Sequence, residues 1–213
     1  TGVTKTYDGT TAAPSGFNPT FNVTGFVQGD SAATVNHTDK QFNNANVSSA
    51  DKVTVSGLSI GAISGNKGSV ASDYVLDASS KDVTATITPK TVGLAATKTY
   101  DGTQNLTASQ VSIQTGINGE TLIASGAQAS DAHVATAGKS ISAITLANGS
   151  GLASNYQLPT LDAANAPVTI NPATLTTSVT NTGVTKTYDG TTAAPSGFNP
   201  TFAVTGFVQG DSA

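Results

Sequence analysis

The sequence lacks cysteine, methionine, tryptophan and arginine altogether, and only 10% of its 213 residues are charged. An ordinary globular domain carries about 25% charged residues; here threonine, serine, alanine, asparagine and glycine fill the difference. The absence of thiols excludes a Cys–His catalytic dyad. It also suits a polypeptide that is exported unfolded, because stray disulfides would be a liability in an oxidising compartment.

Positive charge and long apolar runs are scarce as well. Nine lysines stand against 13 acidic residues and leave a net charge of −4. Because phosphate binding needs a basic surface, no nucleic-acid partner is expected. No apolar run approaches the roughly 20 residues that cross a bilayer, so no membrane span is expected, and any targeting element is expected outside this stretch. A hydrophobic fraction of 37% nevertheless predicts folded modules rather than disorder.

What the sequence does contain is the motif Lys-Thr-Tyr-Asp-Gly-Thr at residues 5–10, 98–103 and 186–191, spaced by 93 and 88 residues. Self-similarity at the length of a small domain is typical of a repeat array. The Asp-Gly pair predicts a turn, because glycine adopts positive φ freely and aspartate bonds nearby backbone amides. We expect each tyrosine to cover one end of a core with its hydroxyl in water, and each lysine to be solvated beside the turn. The predicted structural motif residues are Lys5, Thr6, Tyr7, Asp8, Gly9, Lys98, Thr99, Tyr100, Asp101, Gly102, Lys186, Thr187, Tyr188, Asp189 and Gly190.

The order of these signals divides the chain into three parts. Residues 1–90 form a first-type module, residues 91–173 a second-type module, and residues 174–213 a partial third module that copies the start of the first type. Neighbouring modules therefore differ in sequence, while next-neighbours are almost identical. This alternation lowers the chance of mispairing between adjacent modules, a common failure of tandem domains.

Short alternating apolar segments predict strands in both complete modules. In the first module they are residues 21–26, 53–60, 74–76 and 83–87, with a β-bulge predicted at Gly57. The second module repeats the plan at 111–113, 141–146, 153–158 and 168–170. No segment carries a sustained helical stripe. We predict an all-β fold of tandem small β-sandwich (immunoglobulin-like) modules in an elongated rod, with β-grasp-like modules as the alternative.

No constellation of catalytic or metal-binding residues is found in the sequence. His37 and His133 are single and do not align between modules, and the glycine-rich residues 61–69 lack the Gly-Lys-Ser/Thr order of a phosphate loop. The carboxylates lack the dense spacing of a calcium loop. Asp8 and Asp30 could meet as one ligand pair, but a role in forming turns explains them better; calcium bound between modules is an alternative that stays open. We therefore predict no enzymatic activity, no catalytic residue, no metal site and no cofactor.

Three features recur in the same order in both complete modules. They are the six-residue motif, Ala-Ser-Asp/Asn-Tyr-x-Leu at 71–76 and 153–158, and a closing Thr-Ile-x-Pro at 86–89 and 169–172. In these features the chain resembles the YDG repeat family of large bacterial surface proteins. The resemblance implies a stalk in an exported, filamentous-haemagglutinin-like adhesin, often secreted by a two-partner system, and hence an extracellular address at the bacterial cell surface.

The leading functional hypothesis is a structural stalk or spacer in a secreted adhesin or biofilm-matrix fibre that mediates adhesion or aggregation. The alternative is a module that binds glycans or a host surface through polar loops and exposed aromatics. The expected partners are neighbouring repeats of the same array, with cell-surface or matrix glycans as a further hypothesis. A last hypothesis is head-to-tail self-association by strand exchange, in which residues 182–213 of one molecule replace residues 1–32 of the next.

Overall fold

The computed structural model describes residues 2–212, and the regular structure in them is almost entirely strand. The described helices are three single 3₁₀ turns at Ala71–Asp73, Ala108–Gln110 and Ala153–Asn155. The predicted all-β class is therefore confirmed. Among the described residues, none of these helices is long and apolar enough to cross a membrane.

The strands of the first repeat form two sheets. They are β1 Val3–Thr6, β2 Asp30–Asn36, β3 Asp39–Phe42, β4 Lys52–Ser56, β5 Ser59–Gly65 and β6 Ser80–Thr88. One sheet has the order β1-β6-β4-β3, and β2 pairs with β5 in the other. Strands β1 and β6 run parallel, with Val3 opposite Ala85 and Thr6 opposite Thr88. The chain therefore enters and leaves this strand pair at opposite ends.

The core of the first repeat follows from strand alternation. Val53 and Val55 of β4 and Ala85 and Ile87 of β6 are each no more than 3% exposed, because every second side chain points to the same face. Phe42 on the edge strand β3 closes this core. Burying a side chain of the size of Val or Ile contributes about 1.5–3 kcal/mol, so these few residues supply much of the stability of the module.

The second repeat uses the same parallel pairing of its first and last long strands. Its strands are β7 Lys90–Thr91, β8 Gly93–Thr99, β9 Val111–Gln114, β10 Leu122–Ala129, β11 Ile141–Asn148, β12 Tyr156–Gln157 and β13 Val168–Asn171. They form sheets in the orders β13-β8-β9, β10-β11 and β12-β7. In the parallel pair, Val168 lies opposite Ala96 and Asn171 opposite Thr99. The remaining strands, β14 Thr176–Val179 and β15 Phe202–Thr205, pair antiparallel.

The chain divides into two compact units whose boundaries differ from those of the sequence repeats. One unit comprises residues up to 93 together with 113–123 and 146–159, and the other comprises 94–112, 124–145 and residues from 160 onward. Two segments of the second repeat thus belong to the same unit as the first repeat. The contacts of each motif loop lie within one unit or the other.

Two strand predictions and one bulge prediction in the first repeat are wrong. Residues 21–26 are irregular because no neighbouring strand bonds to them, and residues 74–76 follow a 3₁₀ turn without entering a ladder. Gly57 is no bulge: at φ +66° it forms the corner between β4 and β5, which belong to different sheets. By contrast, the predicted strand over residues 83–87 is confirmed within β6.

Candidate functional site

The six-residue motif folds as a loop clamped by its own lysine. The Lys5 Nζ donates hydrogen bonds to Asp8 Oδ1 at 2.6 Å, to the Thr10 carbonyl at 2.8 Å and to the Ala12 carbonyl at 3.0 Å. Asp8 Oδ1 also accepts from the amide and the hydroxyl of Thr10, each at 2.9 Å. Gly9 permits this turn with φ +77°, a conformation that costs other residues about 1–2 kcal/mol.

The other two copies of the motif make the same bonds. The Nζ of Lys98 donates to Asp101, Thr103 and Asn105, and the Nζ of Lys186 donates to Asp189, Thr191 and Ala193. The side chains of Lys5 and Lys98 are 7% and 0% exposed, so the expectation of a solvated lysine is wrong for these two, whereas Lys186, with a side chain 27% exposed, keeps contact with solvent. The ammonium can be buried because carboxylate and carbonyl oxygens replace its water shell.

The clamp also sets the charge state of the motif aspartates. Burial by itself raises the pKa of Asp8 and of Asp101, but the hydrogen bonds from the clamping lysine and from the following threonine outweigh it and hold both pKa values below the usual range. The Lys186 ammonium and Thr191 lower the pKa of Asp189 in the same way. All three loops therefore keep the ion pair that closes them at neutral pH.

The first motif tyrosine contacts the second repeat. The hydroxyl of Tyr7 donates to Glu120 Oε1 at 2.6 Å, and that of Tyr156 donates to Glu120 Oε2 at 2.7 Å. The two rings pack edge to face with centroids 5.4 Å apart, and both are at most 6% exposed. Burial first, then the bond to Glu120 and its charge, raise the pKa of Tyr7 to about 12 and raise that of Tyr156 as well. The tyrosine hydroxyl expected in water is thus hydrogen-bonded to the only glutamate of the chain.

A buried asparagine makes a second polar contact between the repeats. Asn155 is 1% exposed; its Oδ1 accepts from the Val47 amide at 2.9 Å, and its Nδ2 donates to Asn46 Oδ1 at 2.8 Å. Leaving a buried polar group without its partner costs about 1–3 kcal/mol. Loss of this contact would therefore disfavour the arrangement in which residues 146–159 pack on the first repeat.

Glycines allow the motif loop to approach this contact closely. A Cβ added to Gly9 would lie 3.3 Å from Ile117 Cγ2, and one added to Gly151 would lie 2.5 Å from Glu120 Oε2. The Thr115 hydroxyl shares its one proton between the carbonyl oxygens of Ile117 and Glu120, 3.2 and 3.0 Å away, and so holds the turn that ends at Glu120. The loop and the turn before Glu120 are therefore complementary surfaces, and Gly151 leaves the room that the carboxylate occupies.

The three motif tyrosines have different surroundings although their loops are alike. Tyr7 is 5% exposed, Tyr100 is half-buried and stacks on His133 with centroids 6.1 Å apart, and Tyr188 is 93% exposed. The expected role of covering a core thus fits the environment of Tyr7 and does not fit that of Tyr188. Burial of the tyrosine ring depends on which residues pack against the loop, whereas the loop is closed by its own hydrogen bonds.

Sequence reasoning missed the acceptor side of the contact. Glu120, Asn155 and Tyr156 lie outside the predicted site residues, although two signals in the sequence point to them: Glu120 is the only glutamate, and Asn155-Tyr156 recurs as Asp73-Tyr74. The two aspartates considered as an alternative calcium pair, Asp8 and Asp30, have other partners in the structure: Lys5 Nζ donates to Asp8 Oδ1, and Tyr74 donates to Asp30 Oδ2. Within residues 2–212, no cluster of three potential metal ligands is found.

Comparison with known proteins gives one match. The YDG domain matches the chain twice, over residues 1–83 and 83–164. No curated protein and no solved structure matches the chain. The two matched segments begin and end close to the boundaries of the first two sequence repeats.

Proposed function

From the chain's membership of the YDG-domain family, we propose that it is a structural stalk or spacer of a secreted bacterial adhesin or biofilm-matrix fibre, located outside the cell. In this role the repeats hold a fixed spacing and transmit load, and they carry out no reaction. Their principal partners are the neighbouring repeats of the same array. We also propose that the modules are immunoglobulin-like sandwiches arranged as a rod. Modules with a β-grasp-like fold are the alternative.

The observation that carries the proposal is the contact of Tyr7 with Glu120 and Tyr156. Two hydroxyls donate to one carboxylate, and hydrogen bonds to a charged group contribute about 1.5–3 kcal/mol each. The contact joins residues 113 positions apart in sequence and is shielded from water. A chain used as a spacer needs such a contact, because successive repeats joined only by a flexible linker would not keep their separation.

Hydrogen exchange tests whether this contact couples the repeats. In Tyr7→Phe only the hydroxyl is lost, and the amides of residues 113–123 in the second repeat should exchange faster than in the wild type. Tyr188→Phe is the matched control, because its exposed hydroxyl makes no such contact, and it should leave those amides unchanged. If Tyr7→Phe affects only the first repeat, the contact does not couple the repeats and the proposal loses its support.

A second candidate, binding to cell-surface or matrix glycans, is favoured by the exposed aromatic rings of the third part. Tyr188 is 93% exposed and Phe202 is 62% exposed, and exposed rings can stack on apolar faces of sugars. A glycan array with the wild type and with Tyr188→Ala separates the two functions. Binding that disappears in the variant would favour recognition over spacing, and absence of binding in both would leave the stalk role alone.

Self-association by strand exchange is a further part of the proposal. Val3 in β1 is 5% exposed, whereas its copy Val184 is 49% exposed and lies outside any strand. The same sequence is thus present once with and once without a partner strand. We therefore expect residues 182–213 of one molecule to take the place of residues 1–32 in the next.

A further inference from the structure

The chain contains five places where asparagine or aspartate precedes glycine. They are Asp8-Gly9, Asp101-Gly102, Asn118-Gly119, Asn148-Gly149 and Asp189-Gly190. In such a pair the amide nitrogen of the glycine can attack Cγ of the preceding side chain, because glycine has no side chain to hinder the approach. The succinimide ring closes only when that side chain is free to turn towards the nitrogen. The hydrogen bonds at each pair therefore decide where the reaction occurs.

The three aspartates of the motif loops are held by hydrogen bonds. Asp8 Oδ1 accepts from Lys5 Nζ and from both the amide and the hydroxyl of Thr10. The other two loops repeat these bonds. Although burial opposes it, these bonds hold the pKa of Asp8 below its usual range. The carboxylate therefore stays ionised at neutral pH and resists attack by a nucleophile.

One of the two asparagine pairs is also held. Asn148 Oδ1 accepts from the Ala153 amide at 2.8 Å. The Gly149 amide donates to the Gly151 carbonyl at 3.2 Å. The main chain at Gly149 packs against Thr121, whose carbonyl oxygen would lie 2.5 Å from an added Cβ. The side chain and the attacking nitrogen of this pair are therefore both engaged in other bonds.

Among residues 2–212, Asn118-Gly119 is the pair whose reacting groups, the asparagine side chain and the glycine amide, make no hydrogen bond. Both residues are exposed, and a Cβ added to Gly119 would meet no atom within 4 Å. The Gly119 carbonyl accepts from Ser150 Oγ at 2.8 Å, a bond that leaves the reacting groups free. The Asn118 side chain can therefore turn towards the Gly119 nitrogen without breaking a bond.

This pair lies in the turn that presents Glu120 to Tyr7. The Glu120 amide donates to the Ile117 carbonyl at 3.2 Å across the turn. Gly119 has φ +79°, in the range that a type II turn requires at its third residue. Tyr7 donates to Glu120 Oε1 at 2.6 Å. The length of the main chain in this turn therefore fixes the position of the carboxylate that joins the two repeats.

We propose that Asn118 is a site of spontaneous covalent modification, with water as the co-reactant, and that the modification loosens the contact between Tyr7 and Glu120. The Gly119 nitrogen bonds to Asn118 Cγ, and its proton leaves with the side-chain nitrogen as ammonia. Water then opens the succinimide ring at either carbonyl and gives aspartate or isoaspartate. In isoaspartate the main chain runs through the former side chain. This adds a methylene group to the turn and moves Glu120 away from Tyr7.

Warm incubation of the full chain at mildly alkaline pH, followed by peptide mapping, tests the site. Peptides with Asn118 should gain the mass that replaces an amide by a carboxyl group, and they should contain isoaspartate. They should react about tenfold faster than peptides with Asn148, because hydrogen bonds must first break there. Asn118→Gln should stop the reaction at this position, since glutamine would have to close a larger ring. Asn148→Gln should leave the reaction at Asn118 unchanged.

A variant that releases Asn148 is the matched control. Ala153 begins a 3₁₀ turn after Leu152, whose extended backbone at φ −87° and ψ 124° suits a following proline. Ala153→Pro removes the amide that holds Asn148, so Asn148 should react at a rate closer to that of Asn118. In concentrated urea, both pairs of the wild type should react at similar rates. No reaction at Asn118, equal rates in the folded wild type, or a difference that persists in urea would each overturn the assignment.

The consequence of the modification rests on the proposed function, because the loosened contact is the one assigned to spacing. Amides of residues 113–123 should exchange faster in isoaspartate-containing protein than in fresh protein. Fresh Asn118→Asp carries the new charge without the longer main chain and should exchange as the wild type does. Faster exchange in Tyr7→Phe but not in the isoaspartate form would overturn the loosening and leave the stalk contact. Modification of Asn118 with no effect of Tyr7→Phe would remove the support for the stalk and keep the modification site.

Discussion

At the residue scale, the role of the motif tyrosine is decided by the group that faces it. Tyr7 reaches the carboxylate of Glu120, Tyr100 stacks on His133, and Tyr188 projects into solvent. The six residues of the motif are the same in each case. Substitutions of the same residue type at these positions should therefore have unequal effects.

Removing the ring should destabilise the protein in proportion to its burial. Tyr7→Ala should lower the free energy of unfolding by about 3–5 kcal/mol, as for other buried aromatic side chains. Tyr100→Ala should cost less because that ring is half-buried, and Tyr188→Ala should cost almost nothing. Urea denaturation of the three variants gives the ranking; a Tyr7→Ala variant as stable as Tyr188→Ala would contradict the structural role of Tyr7.

The raised pKa of Tyr7 predicts loss of stability in alkali. Tyrosine titrates near pH 10 in the unfolded chain and at about 12 in the folded one, so the folded state holds the proton more tightly. The resulting stabilisation is fully present below about pH 10 and is lost as the pH rises through about 12. Denaturation midpoints measured across this range should fall less steeply for Tyr7→Phe than for the wild type. Equal slopes would mean that the hydroxyl is not held by Glu120.

At the scale of elements, one sequence adopts two structures. Residues 21–24 and their copy 202–205 differ only in the exchange of Asn22 for Ala203. The first segment is irregular, while the second forms β15 beside Thr176–Val179. A strand needs a neighbour to bond its backbone, and a single two-stranded hairpin is only marginally stable in water.

Strand exchange follows from this dependence on a neighbour. Residues 184–187 copy β1 and lie outside any strand in the part of the chain that the structure describes; the proposed exchange places them beside β6 of a second molecule. Light scattering of the full chain should show a mass that increases with concentration, while a chain ending at Asn181 should not associate by this route. If both chains remain monomeric at high concentration, the exchange hypothesis is wrong.

At the scale of the whole molecule, the proposed stalk predicts an extended particle. Each complete repeat has one parallel strand pair, β1 with β6 in the first and β8 with β13 in the second. The chain therefore enters each pair at one end and leaves it at the other. Small-angle scattering should give a radius of gyration well above the roughly 17 Å expected for one compact domain of this length. A value near 17 Å would argue against a spacer. Glu120→Gln, which weakens the contact with Tyr7, should broaden the distribution of distances relative to the wild type.

The sequence by itself determined the motif loops and the class of fold. Each clamp joins a lysine to acceptors no more than seven residues away, so the loop forms wherever the six residues occur, and strand alternation marked β6, β9 and β11 for the same local reason. Tertiary structure decided the rest. Whether residues 21–24 become a strand, whether the motif tyrosine is buried, and which carboxylate accepts its hydroxyl all depend on groups far away in sequence, such as Glu120, 113 residues from Tyr7. Periodicity and turn chemistry report only on neighbours along the chain, and the partner of a hydrogen bond between repeats is chosen by packing.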